Sequence, residues 1–184
     1  MPEYEAQLRE LGVDAGAIRA KLLLTSLFLT AYELLKEQIV DRTMVFFSEE
    51  CTADGWQRSA EYKRRILVPY PNAFAGSVAW LREMDVLTAE DAAALQRIRD
   101  QRNALAHDLP SVVFGRQLGI DVELLGTARE LVVRVGRFWA RVNMDSDEEF
   151  AEQDIADEDI QPGAAVMLEY IVQIAAEGIS PPAA

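Results

Sequence analysis

The sequence predicts an all-α protein, a bundle of about five to six helices, and three observations predict it. Apolar residues recur at three- and four-residue spacing through most of 15–142. Asp, Asn and Thr stand where helix starts are expected, immediately ahead of those periodic stretches. No stretch alternates apolar and polar side chains for long enough to make a convincing strand. With 184 residues, half of them hydrophobic, the chain is one domain, or one domain with a tail, and long enough to bury a proper core.

Residues 1–13 read as a lead-in with a turn or two of helix around 4–11. Asp14 is placed to cap a long scaffold helix over 15–47. Its stripe is Leu24, Leu27, Phe28, Ala31, Leu35 and Ile39, with Glu33, Lys36 and Glu37 on the other side. Residues 48–72 break the pattern at Asp54-Gly55, Pro69 and Pro71, and 62–67 could form a short helix with a basic cluster. Asn72 opens a helix to about 84, with Phe74, Val78 and Leu81 inward. Thr88 to Asp91 is a capping signal for a helix over 89–107, stopped near Pro110. Its apolar stripe is Leu95, Ile98, Leu105 and Leu109. A loop over 110–120 leads to a helix over 121–142, with Leu124, Leu125, Ala128, Leu131, Val132, Val135, Trp139 and Val142 facing the core. Arg134, Arg137 and Arg141 recur on its outer face. A last short helix over 164–176 follows Pro162-Gly163, and the end reads as frayed. The expected organisation is a bundle over 1–144, an acidic linker over 145–161, and a C-terminal helix and tail over 162–184.

Charge and composition exclude several classes. The net charge is -13, but residues 145–160 hold nine acids and no base. Residues 1–144 carry 20 acids against 18 bases, so the body is nearly neutral. A nucleic-acid partner is disfavoured by the total and permitted by the body. No apolar run reaches membrane-spanning length, and Met-Pro-Glu-Tyr-Glu offers neither a basic start nor a signal core. The single cysteine, Cys51, rules out an intrachain disulfide and fits a reducing, cytoplasmic compartment. One histidine and one cysteine cannot build a structural zinc site within one chain, so no metal or cofactor is expected. Asp145-x-Asp147-x-Glu149 superficially resembles a calcium loop, but Phe150 stands where that loop needs glycine. There is no glycine-rich phosphate loop and no nucleophile elbow.

The remaining chemistry lies in Arg102-Asn103-Ala104-Leu105-Ala106-His107. His107 is the only histidine, hence the natural acid–base group near neutral pH. Arg102 falls inside the apolar stripe of its helix, where a guanidinium must meet a carboxylate, a carbonyl, a ligand or a second subunit. Asp91, Asp100 and Glu83 are the carboxylates considered for it. An arginine and a histidine suit metal-free phosphodiester transfer in RNA. The imidazole can deprotonate a 2′-OH or protonate the departing 5′-oxygen, while the guanidinium stabilises the growing phosphoryl charge. Asn103, four residues before His107, shares its face and can orient the phosphate or the imidazole. Arg102 and His107 differ by about 140° around an ideal helix. Either the last turn unwinds, or two copies contribute to a composite site. The alternative for His107 is a helix-terminal histidine set against the dipole and bonded to a carbonyl.

The stretch "IRDQRNALAHDL" resembles the signature of the HEPN superfamily: an arginine, four to six residues often beginning with Asn, Asp or His, then histidine. The match is close over 89–107 and loose over the preceding helices. The resemblance implies a HEPN-like helical bundle that forms a homodimer with facing motifs. In active members that cleft is a metal-independent ribonuclease site of toxin–antitoxin, phage-defence or RNA-processing type. Arg102, Asn103 and His107 would then be catalytic, and RNA and an antitoxin or regulatory protein would be partners. Arg99, Arg134, Arg137 and Arg141 are the candidate RNA-backbone contacts. Asp108-Leu109 follows the histidine, so the tyrosine that one toxin subgroup carries two places on is missing. The segment "GSVAWLREMDVLTAEDAAALQRIRDQRNALAH" is also similar to the mannitol operon repressor family, whose helical regulators imply a non-catalytic module on the same architecture. The arginine face could be a solvated surface, an RNA contact or a seat for the acidic block. If the block competes there with phosphates, deleting 145–160 raises RNA affinity and steepens its salt dependence, measured by filter binding across a salt series. A plain solvated linker would leave both unchanged.

Overall fold

A computed structural model of the chain describes residues 14–53, 55–115, 119–148, 150, 153 and 155–179, without the side chains of 178 and 179. The expected helical turn around 4–11 and the frayed end at 181–184 lie outside them. The Asp14 carboxylate accepts from the Gly16 amide at 2.8 Å and starts α1, Ala15–Lys36. The chain continues through a π-helical turn, Glu37–Asp41, into α2, Arg42–Phe46. Leu27, Phe28, Ala31, Leu35 and Ile39 are buried as the spacing predicts, while Leu24 is half-buried.

Between 48 and 72 the structure adds something the pattern did not show. Cys51–Thr52 (β1) and Gly55–Trp56 (β2) pair antiparallel, with Thr52 opposite Gly55. Gly55 sits at φ 98°, a conformation that disfavours side-chain-bearing residues. Two residues per strand are too few to leave an alternation in the sequence. Ser59 caps α3, Ala60–Tyr62, which runs into a second π-helical turn, Lys63–Leu67. Asn72 caps α4, Ala73–Glu83, through a 2.9 Å bond from the Ala75 amide. α4 crosses that turn closely at Gly76, where a Cβ would stand 2.1 Å from the Ile66 carbonyl oxygen.

Thr88 and Asp91 close a reciprocal capping box at the start of α5, Ala89–His107. Where a loop over 110–120 was expected, α6, Leu109–Phe114, forms instead. Pro110 does not prevent it, because in the first turn of a helix the missing N–H would have no intrahelical partner. The break at Asp108 also changes the helical register, so Leu109 leaves the apolar stripe and is exposed. Asp121 caps α7, Val122–Asp145, whose predicted inward residues from Leu124 to Trp139 are buried, Val142 being half-buried. A 3-10 turn at Asp157–Asp159 precedes α8, Gly163–Ile179.

α1 is the central packing element and touches α5, α6, α7 and α8. The C-terminal helix is seated on this core, burying Leu168 and Ala175. Trp80 of α4 and Trp139 of α7 stack at 5.9 Å and 23°, with Phe46 and Phe138 against them. The Trp139 indole N–H donates at 2.7 Å to the Gln38 carbonyl inside the first π-helical turn. Among the described residues no helix is long and apolar enough to cross a membrane.

Candidate functional site

α5 runs unbroken to His107, so the last turn does not unwind. That removes the route by which a single chain would bring Arg102 and His107 together through an unwound last turn. The imidazole stands exposed at the helix end, and no carbonyl or other group among the described residues hydrogen-bonds it. Asn103, one turn earlier on the same side, is half-buried. It accepts a long bond, 3.4 Å, from Arg102 Nη1.

Arg102 turns the other way, toward α1. Its Nη2 donates to Glu33 Oε1 at 2.9 Å, and its guanidinium lies 5.3 Å from the centre of the Tyr32 ring. The partner is thus Glu33, and not Asp91, Asp100 or Glu83. Asp91 is instead engaged by Arg134. Arg102 is a third exposed and Glu33 about half exposed, so the pair is a surface ion pair of the kind that contributes about 0–1 kcal/mol. The Arg102 Nε–H is buried without a partner, which leaves this guanidinium partly desolvated.

Burial raises the Glu33 carboxyl, but the hydrogen bonds and charges of Arg102 and Lys36 outweigh it and hold the group below the ordinary glutamate range. A lowered folded-state value means that the pair stabilises the fold at higher pH. That contribution is lost as pH falls through the lowered value. A carbon NMR titration of the Glu33 carboxyl should therefore show a midpoint that moves upward in Arg102→Ala. An unmoved midpoint would show that the guanidinium does not hold the carboxylate in solution.

The four arginines expected on RNA separate into two groups. Arg134 bonds Asp91, and Arg137 donates to the Ile160 and Glu158 carbonyls at 3.3 Å each. Arg141 meets Asp157 at 2.6 Å and the Ile155 carbonyl. The end of the acidic segment therefore lies on the arginine face, anchored by buried Ile160. A groove of about 680 Å³ on that face is lined by all three arginines, but also by Asp85, Glu130 and Asp157. Arg99 is different. It shares a smaller groove between α4 and α5 with Arg82, Tyr70, Phe74 and Gln96.

Glu33 and Tyr32 were not legible as site residues, because only the packing of α1 on α5 brings them to Arg102. Arg82 was equally silent, one cation on an exposed helix face. No group of three or more His, Cys, Asp or Glu side chains that could hold a metal ion occurs among the described residues. Comparison of the chain with protein-family models, with curated proteins and with solved structures returns no match.

Proposed function

We propose that the protein is a HEPN-like, metal-independent endoribonuclease working as a homodimer, with His107 as its acid–base group. The observation that carries this reading is the lone imidazole, exposed and unengaged at the end of α5 with Asn103 on its side. Because Arg102 points toward α1, the guanidinium that meets the phosphate beside His107 comes from the second copy. Exposed Leu109, two residues past His107, supports a second copy there, since burying it would be favourable. In this scheme an imidazole takes the proton from a 2′-OH. The 2′-oxygen attacks the adjacent phosphorus, the P–O5′ bond breaks, and the departing oxygen takes its proton from a His107 imidazolium. Arg102 exchanges Glu33 for the phosphoryl oxygens as charge builds on them. The test is incubation of the purified protein with total RNA in EDTA. Cleavage leaving 2′,3′-cyclic phosphate and 5′-hydroxyl ends supports the reading, and intact RNA overturns it.

A second reading is favoured by one observation. Glu33, Asn103 and Tyr32 engage Arg102 within one subunit, as a purely structural arginine would be. On that reading the chain is a non-catalytic regulatory or interaction module, in the manner implied by the similarity to the mannitol operon repressor family. Intact RNA from a protein that runs as a stable dimer favours it.

A further inference from the structure

We infer that the groove between α4 and α5 binds one nucleotide of a single-stranded RNA, its phosphate on Arg82 and Arg99 and its base against Tyr70 and Phe74. This rests on the RNA-directed reading above and extends it to a binding site away from the motif.

Four features converge there. The groove encloses about 290 Å³, at the small end of ligand pockets and room for one base with its phosphate. Its two guanidiniums form no ion pair or hydrogen bond with any described residue, in contrast to Arg134, Arg137 and Arg141. No carboxylate lines it, so an incoming phosphate meets no repulsion at the wall. Tyr70 and Phe74 are half-buried and supply π-faces, on which any base can stack. The nearest acid along the helix, Asp100, accepts from the Gln96 amide at 2.9 Å instead of from Arg99.

Helix geometry connects the groove to the motif. Arg99, Asn103 and His107 stand four residues apart in turn, so they form one ridge along α5. Eight residues of helix advance about 12 Å, within reach of the neighbouring nucleotides of one strand. A strand held at Arg99 therefore has its next phosphates carried toward Asn103 and His107. A single strand is favoured over a duplex because a base must leave its stack to lie against Tyr70 or Phe74 in the groove.

The measurement is fluorescence anisotropy of a fluorescein-labelled hexa-adenylate titrated with the His107→Ala chain, which leaves the RNA uncut. Arg82→Ala and Arg99→Ala, both surface changes, should each weaken binding about tenfold and lower the salt slope by about one. Phe74→Leu should weaken binding severalfold at an unchanged salt slope, because stacking releases no counterions. Binding that ignores all three substitutions overturns the inference even if the wild-type chain cuts RNA. Binding lost in these variants, beside a wild-type chain that cuts nothing, sustains the groove and overturns the nuclease reading instead.

Discussion

Replacing His107 by alanine is expected, under the proposed ribonuclease reading, to lower RNA cleavage about 10²- to 10⁴-fold, the range that a positioned general acid–base group supplies. Arg102→Ala should cost a comparable factor, since removing one donor to a charge developing in the transition state costs about 10²–10³-fold. Neither loss should reflect unfolding. His107 is exposed at a helix end, and the Arg102–Glu33 pair is a surface pair. The informative step is to mix the two inactive chains. α5 is continuous and sends Arg102 toward α1, so under the proposed reading the arginine and histidine of one site come from different copies. A mixed dimer of His107→Ala and Arg102→Ala pairs an intact arginine from one chain with an intact histidine from the other at one of its two positions. About a quarter of wild-type activity should return after exchange of subunits, because half of a random mixture is mixed dimer and half of its sites are whole. Mixing that restores nothing, with each variant still dimeric, would rule out a site shared between copies.

The largest expected effect on stability is at Trp139. The indole is buried, stacks on Trp80, touches Phe46 and Phe138, and donates its N–H to the Gln38 carbonyl. Trp139→Ala removes the ring from this aromatic cluster and should destabilise the protein by about 3–5 kcal/mol. Trp139→Phe keeps most of the apolar contact but leaves the Gln38 carbonyl without its donor, and should cost about 1–3 kcal/mol. Urea denaturation checks both: the midpoint should fall in the order wild type, phenylalanine, alanine, with little change in slope. If the two variants were equally stable, the hydrogen bond into the π-helical turn would carry none of the effect. The same substitutions bear on function only indirectly, since the cluster lies where α2, α4 and α7 meet, apart from the end of α5.

Much of the framework was legible because helices advertise themselves locally. Asp14, Asn72, Thr88 and Asp121 cap the helices they precede, and the apolar spacing marks which faces are buried. These signals act over three or four residues, so the chain needs no distant partner to express them. The exceptions are also local in origin. α6 hides behind Pro110, which reads as a stop although it is tolerated in a first turn. The hairpin at 51–56 is too short to show a period.

The composition and order of the residues alone determined an all-α chain with buried stripes on its main helices, a lone histidine at the end of α5 and an arginine five places before it. Only the tertiary structure decided what those groups meet. Glu33 is 69 positions from Arg102 and Gln38 is 101 from Trp139, and nothing in either local pattern names the other. The arginines followed the same rule: Arg134, Arg137 and Arg141 are taken up by Asp91 and the 155–160 segment, whereas Arg82 and Arg99 face a groove without acids. A side chain's charge is written in its own codon, but its neutralisation depends on which remote oxygen the packed helices bring within about 3 Å.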